Sequence, residues 1–144
     1  SLGHNQPMLL AKASATTRLI TRWTRFWNSY DIDELGALFV MDERITYFSS
    51  EKQGLLRGPE AMRQHHLGFG FVPGGKVSAN ALWLEQIAED RLDRGTVLVT
   101  AIWCFRRAST PDIVQRGPLS AVAIRTRRGP RFAHMNFSTY SRNP

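Results

Sequence analysis

Arg131-Phe-Ala-His-Met-Asn-Phe-Ser138 alternates apolar and polar side chains with a period of two, the pattern of a β-strand. Read without interruption, one face carries Phe132, His134, Asn136 and Ser138, and the other Ala133, Met135 and Phe137. His134 lies mid-strand between aromatic positions, so it is the group titrating near neutral pH that is expected to be enclosed. A strand with apolar residues on both faces needs two covers, and helices of the same chain supply only one. Fold, assembly and chemistry therefore meet on this strand.

Working back from it, Arg116 to Arg125, Thr96 to Arg106 and Asn80 to Ile87 read as its partners in an antiparallel sheet. They are joined by turn-forming or charged stretches at Asp90–Gly95, Ala108–Gln115 and Thr126–Pro130. The run from Thr96 to Phe105 is apolar on both faces, as a central strand should be. Two shorter strands, Ile45–Ser49 and Gly54–Arg57, come earlier.

The helices lie towards the N-terminal side. Leu19, Ile20, Trp23, Phe26, Trp27 and Tyr30 recur at three- and four-residue spacing on one face of a helix starting near Leu9. Their plain role is core packing, with Trp27 and Tyr30 at the C-terminal end also placed to line a cavity. Asp31 and Glu34 have the spacing of a capping box for a short second helix that buries Leu35, Leu38 and Phe39. Gly58-Pro59-Glu60 opens a third, since proline is tolerated at the first helical position. Gly68, Gly70, Pro73, Gly74 and Gly75 then turn it into a flexible loop.

Helices segregated from a meandering sheet mean an α+β fold, here a cone of strongly curved, mostly antiparallel sheet on three N-terminal helices. At 144 residues the chain has the length of one ordinary domain, taken as 9–140 with a leader over 1–8 and a tail over 141–144. The longest apolar run is about half of what a membrane span requires. The first seven residues lack a signal pattern, and one cysteine, Cys104, allows no internal disulfide, which fits a reducing cytoplasm. The net charge of +7 comes from sixteen arginines and three lysines. It attracts anions, but the arginines near 106–116 and those at 125–131 fall at opposite ends of the sheet and form no continuous nucleic-acid stripe.

This order of elements, together with Trp27-Asn-Ser-Tyr-Asp-Ile-Asp-Glu-Leu35, Gly58-Pro-Glu-Ala-Met62 and His134-Met-Asn-Phe-Ser138, resembles the nuclear transport factor 2-like superfamily. Within it, the chain is most similar to the SnoaL-like (polyketide-cyclase-like) proteins and the association domain of calmodulin-dependent kinase II. The resemblance implies a curved sheet around a pocket and homodimers packed sheet against sheet. It also implies that His134 and Asn136 look into the cone, with Ala133, Met135 and Phe137 on the dimer side. Where many relatives have a tryptophan and then His-x-His-x-Ser, this chain has Pro130, His134, Asn136 and Ser138. The superfamily's ketosteroid isomerases have a tyrosine and a carboxylate that would fall on Trp23 and near Phe48. Indole and phenyl perform neither task, which argues against steroid isomerisation.

His134 is thus the candidate general base or acid and Asn136 a candidate carbonyl or oxyanion holder, against a purely structural histidine linking strand and helix. Trp27, Tyr30, Tyr47, Phe69 and Trp103 are candidate cavity walls. His65 and His66 point about 100° apart on their helix, and His66, one turn after Met62, is taken as the inward one. Arg116 is the candidate clamp for an anionic group at the mouth. Adjacent histidines without a nearby acid do not make a metal site, and no cofactor motif is present. The expected ligand is a small hydrophobic, anionic molecule, and the expected chemistry is isomerase-, cyclase- or dehydratase-type proton transfer. The alternative is a non-catalytic binding or homodimerisation module.

Overall fold

The computed structural model describes residues 13–141, so the leader, the expected helix start near Leu9 and residues 142–144 lie outside the described residues. Helix α1, Ala15–Ser29, starts where the Ser14 side chain accepts from the Thr17 amide. It ends at Tyr30, whose left-handed backbone (φ 57°) sends its amide back to the Phe26 carbonyl. Leu19, Ile20, Trp23, Phe26 and Trp27 are buried along its inner stripe, as the spacing requires.

The capping box does not form. Asp31 does cap a 3₁₀ turn, Ile32–Glu34, through the Asp33 amide, but Glu34 turns away to pair with Arg22 at 2.7 Å. A single-turn helix α2, Leu35–Leu38, follows. Helix α3, Pro59–Gly68, has proline at its start as expected. The glycine-rich stretch behind it is tied down by backbone bonds from Ile32 N to Val72 O and from Val72 N to Tyr30 O. Gly74 N adds a bond to Asp31 Oδ1.

Six strands follow the expected order: β1 Thr46–Ser49, β2 Lys52–Arg57, β3 Ala81–Asp93, β4 Thr96–Arg106, β5 Val114–Thr126 and β6 Gly129–Phe137. They form one mixed sheet, β2-β1-β6-β5-β4-β3, in which only β1 and β6 run parallel. Three helices on one face of this curled sheet give the α+β architecture that the element order implied. β3 runs six residues beyond its expected end at Ile87. A bulge after Glu85, with Gln86 at φ 53°, breaks the alternation, and the charged continuation is tolerated on an edge strand. Among the described residues no helix is long and apolar enough to cross a membrane.

A bulge between β5 and β6 decides which way β6 faces. Val122 pairs with His134, yet the next residue, Ala123, pairs with Phe132, so Ala133 is an extra residue on the β6 side. The side-chain phase slips there by one position. Phe132, Met135 and Phe137 all turn inward and are buried, whereas His134 and Asn136 lie half-exposed on the outer face. The expectation that His134 and Asn136 look into the cone while Met135 and Phe137 face a partner is thereby corrected. An uninterrupted alternation cannot represent a strand carrying an added residue.

Candidate functional site

The inner face closes over a cavity of about 70 Å³ between α1, α3 and the sheet. Its back wall is a stack running across three elements. The Trp103 ring of β4 lies on Phe137 of β6 at 4.4 Å and 20°, and Phe137 lies on Trp27 of α1 at 5.8 Å and 26°. Trp103 is locked by its indole N–H, which donates to the Ser138 carbonyl at 2.6 Å. That approach requires Gly117 opposite Trp103, because a side chain there would collide with the Ser138 backbone and the indole nitrogen. The five expected wall residues, Trp27, Tyr30, Tyr47, Phe69 and Trp103, all line the cavity, joined by Leu82, Phe105 and Phe137.

The polar groups differ from those expected. His65, not His66, lines the cavity. Its ring packs against Phe69 at 4.9 Å and Tyr47 at 5.4 Å, and no hydrogen bond holds its nitrogens among the described residues. Burial, and then the charge of Lys52, push its pKa down to about 4, so it is a neutral imidazole at pH 7. His66 is fully buried behind it among Phe26, Trp27, Phe39, Tyr47 and Phe71. Its Nδ1–H donates to the Met62 carbonyl at 2.8 Å, while the buried Nε2 has no partner among the described residues. Burial dominates there too and lowers its pKa to about 4. The physical reason for the exchange is rotation about α3: Met62 and His66 form its core stripe, which swings His65 towards the opening.

Asn80 donates to the Tyr30 hydroxyl at 3.2 Å and accepts from the Ala108 amide at 2.9 Å, fastening α1 to the segment after β4. Burial raises the Tyr47 phenol, which is therefore a donor and not a base. Ser49, Ser50 and Glu51 of the β1–β2 turn, with Arg107 and Gln115 opposite, complete the lining, and the exposed Glu51 and Arg107 mark the mouth. Arg107 stands over the Phe105 ring at 5.2 Å.

The other candidates lie elsewhere. His134 shares a hydrogen bond of 2.8 Å between Nδ1 and Thr46 Oγ1 and meets Phe48 edge-on at 6.0 Å. The Asn136 side-chain oxygen accepts from the Ser138 hydroxyl. Arg116 is also on the outer face, 3.8 Å from the exposed Glu85, so it clamps nothing at the mouth. Trp23 is buried in the core, and Phe48 is exposed on the outer face. His65 and Arg107 are the charged or titratable lining residues on which the chemistry turns, and sequence patterning singles out neither. Arg107 was legible as an arginine closing a central strand, but no sequence signal distinguished His65 from its neighbour. Among the described residues no three histidine, cysteine or acidic side chains converge as metal ligands.

No protein-family model and no curated protein matches the sequence. Solved structures do. A nuclear transport factor 2-like superfamily protein of Salmonella enterica superposes with TM-score 0.70 at 18% identity, over 88% of this chain and 89% of that one. A protein of Novosphingobium aromaticivorans named for scytalone dehydratase gives 0.70 at 16%, over 88% and 83%. A cystatin-like-fold protein of unknown function from Nostoc punctiforme gives 0.72 at 9%, over 90% and 92%. At such identities the likeness speaks for architecture, and on it this chain has the nuclear transport factor 2-like, cystatin-like fold.

Proposed function

We propose that this protein binds a small, flat, hydrophobic molecule against the Trp27–Phe137–Trp103 stack, with His65 as the group that exchanges a proton with it. The observation that carries this reading is His65 itself: a neutral imidazole on the cavity wall with no hydrogen-bond partner among the described residues. A ligand bearing an acidic O–H or C–H would supply that partner, and its charge as a conjugate base would be met by Arg107 at the rim. Ordinary ligand pockets run to about 300–1,000 Å³. The enclosed part here is smaller, so a ring compound would lie partly in the mouth between Glu51 and Arg107. The fold relative named for a dehydratase shares the architecture, which alone does not carry the chemistry.

The test uses 2-tetralone, a flat ketone with acidic C–H bonds. Wild-type protein should bind it saturably and speed exchange of its α-protons with D₂O, read by NMR. His65→Gln should remove the exchange while leaving the fold intact, and His134→Ala should leave it unchanged. Exchange that persists in His65→Gln contradicts the assignment.

A second reading, homodimerisation through the sheet, is supported by a specific feature of the outer face. Leu98, Ile102, Val122 and Ile124 share it with Phe48, and each is left half-exposed or exposed. A second copy packing there would cover these apolar side chains together. Light scattering should show a dimer that Val122→Asp converts to monomer without loss of helical signal. A monomeric wild type ends this reading.

A further inference from the structure

At the end of the sheet away from the cavity mouth, the β5–β6 hairpin faces the segment that follows α2. Between them is an open groove of about 760 Å³ lined by Arg125, Arg127, Arg128 and Arg131 on one wall and by Phe39 to Asp42 and Arg44 on the other. Five arginines thus meet one carboxylate, and that carboxylate, Asp42, is already held by Arg44 at 2.9 Å. No carboxylate among the described residues pairs with any of the four hairpin arginines.

The groove is also partly preorganised. A two-residue turn sets Arg127 and Arg128 at the hairpin tip, fixed by Thr126 Oγ1 donating to Gly129 O at 2.7 Å and accepting from Arg128 N at 3.2 Å. Arg131 is anchored through Nε to Gly36 O and through Nη1 to Pro130 O and Arg128 O, which leaves its Nη2 protons without a partner among the described residues. Burial together with the charges of Arg22 and Arg128 holds Arg131 below its ordinary pKa, as expected where positive potential is uncompensated. Several planar forks around one space suit a multiply charged tetrahedral anion better than a single carboxylate. Met41, partly exposed on the facing wall, offers an apolar surface beside them.

We propose that this groove is a second ligand site, for a small organic phosphate whose phosphoryl oxygens are held by Arg127, Arg128 and Arg131 and whose carbon skeleton rests on Met41. A nucleic-acid strand suits it less. The remaining arginine group, Arg106, Arg107 and Arg116, lies at the opposite end of β4 and β5, and no exposed aromatic platform lines the groove.

The probes are ATP, inorganic tripolyphosphate and a single-stranded dodecanucleotide, titrated calorimetrically at low salt into the full chain. ATP should bind saturably and more tightly than tripolyphosphate, and added salt should weaken it. Because Arg127 and Arg128 sit on an exposed turn, the double change Arg127→Glu/Arg128→Glu should keep the fold and weaken ATP about tenfold or more. Arg106→Glu, at the other end, should leave it unchanged. Absence of saturable binding, equal affinity in the double variant, or tighter binding of the dodecanucleotide overturns the site. Tripolyphosphate binding as tightly as ATP overturns the role given to Met41.

Discussion

The two faces of this one sheet are built from similar residues but are used differently. On the inner face, Phe132, Met135 and Phe137 are buried against α1 and Phe39, and the imidazole that reaches the cavity belongs to a helix, His65 of α3. On the outer face, His134, Asn136, Thr46 and Phe48 satisfy one another or face solvent. A histidine in a strand thus acts locally, bridging its neighbour strand, while a histidine on a helix rim borders the empty space. Location relative to the cavity, and not mere enclosure among aromatics, separates a candidate catalyst from a fastener.

The sharpest way to break the contrast is to delete rings from each face. Phe132 is fully buried and packs on Phe39 at 5.9 Å, so Phe132→Ala should lower unfolding free energy by about 3–5 kcal/mol in urea titrations. Phe48→Ala, removing a ring that is 41% exposed, should cost about 1 kcal/mol or less in a monomer. Similar losses for the two would mean that the faces are not distinct in packing.

Next in size is a pH effect that belongs to the inner side alone. His66 has a folded-state pKa of about 4, against about 6.5 in an unfolded chain. Its folded pKa is depressed, so the unfolded chain binds more protons between these values and stability rises with pH there. The contribution is complete above about pH 6.5 and fades as pH falls towards 4, by roughly 3 kcal/mol for a fully buried group. His65 is partly exposed and should add much less than its similar shift suggests. Urea midpoints at pH 7 and pH 4.5 should therefore diverge in wild type. In His66→Phe the gap should shrink, with stability at pH 7 within about 1.5 kcal/mol of wild type. An unchanged gap would place the proton elsewhere.

Much of this architecture was readable beforehand because it rests on periodicity. Three- and four-residue spacing found the buried stripe of α1, and period-two runs found all six strands with their order along the chain. The cavity walls were readable for a related reason: Trp27, Tyr30, Tyr47, Phe69 and Trp103 are large rings at element ends or on a central strand, where a cone closes. What periodicity cannot register is an inserted residue. Ala133 is small and ordinary, yet it places Phe132 and Met135 three apart on the same face and turns His134 outward. The choice between His65 and His66 likewise depends on the rotation of α3, which the packing of Met62 sets. Arg116 failed as a clamp for the same reason of phase: it pairs with Cys104, so it shares the outer face with Glu85, one residue out of step with Trp103.

The smallest expected effect tests that phase most directly. His134→Ala removes the hydrogen bond to Thr46 Oγ1 and the edge contact with Phe48. Both groups left behind are within reach of water, so the loss should be about 0.5–1.5 kcal/mol rather than the larger cost of a stranded buried group. Because the bulge at Ala133 puts the whole thickness of the sheet between His134 and the cavity, binding of 2-tetralone should keep its affinity and its pH dependence. A stability loss without a binding loss is the pattern of a fastener on the outer face. If binding fell in step with stability, or by tenfold at equal stability, the strand would have to face the other way, and the reading of the two faces would reverse with it.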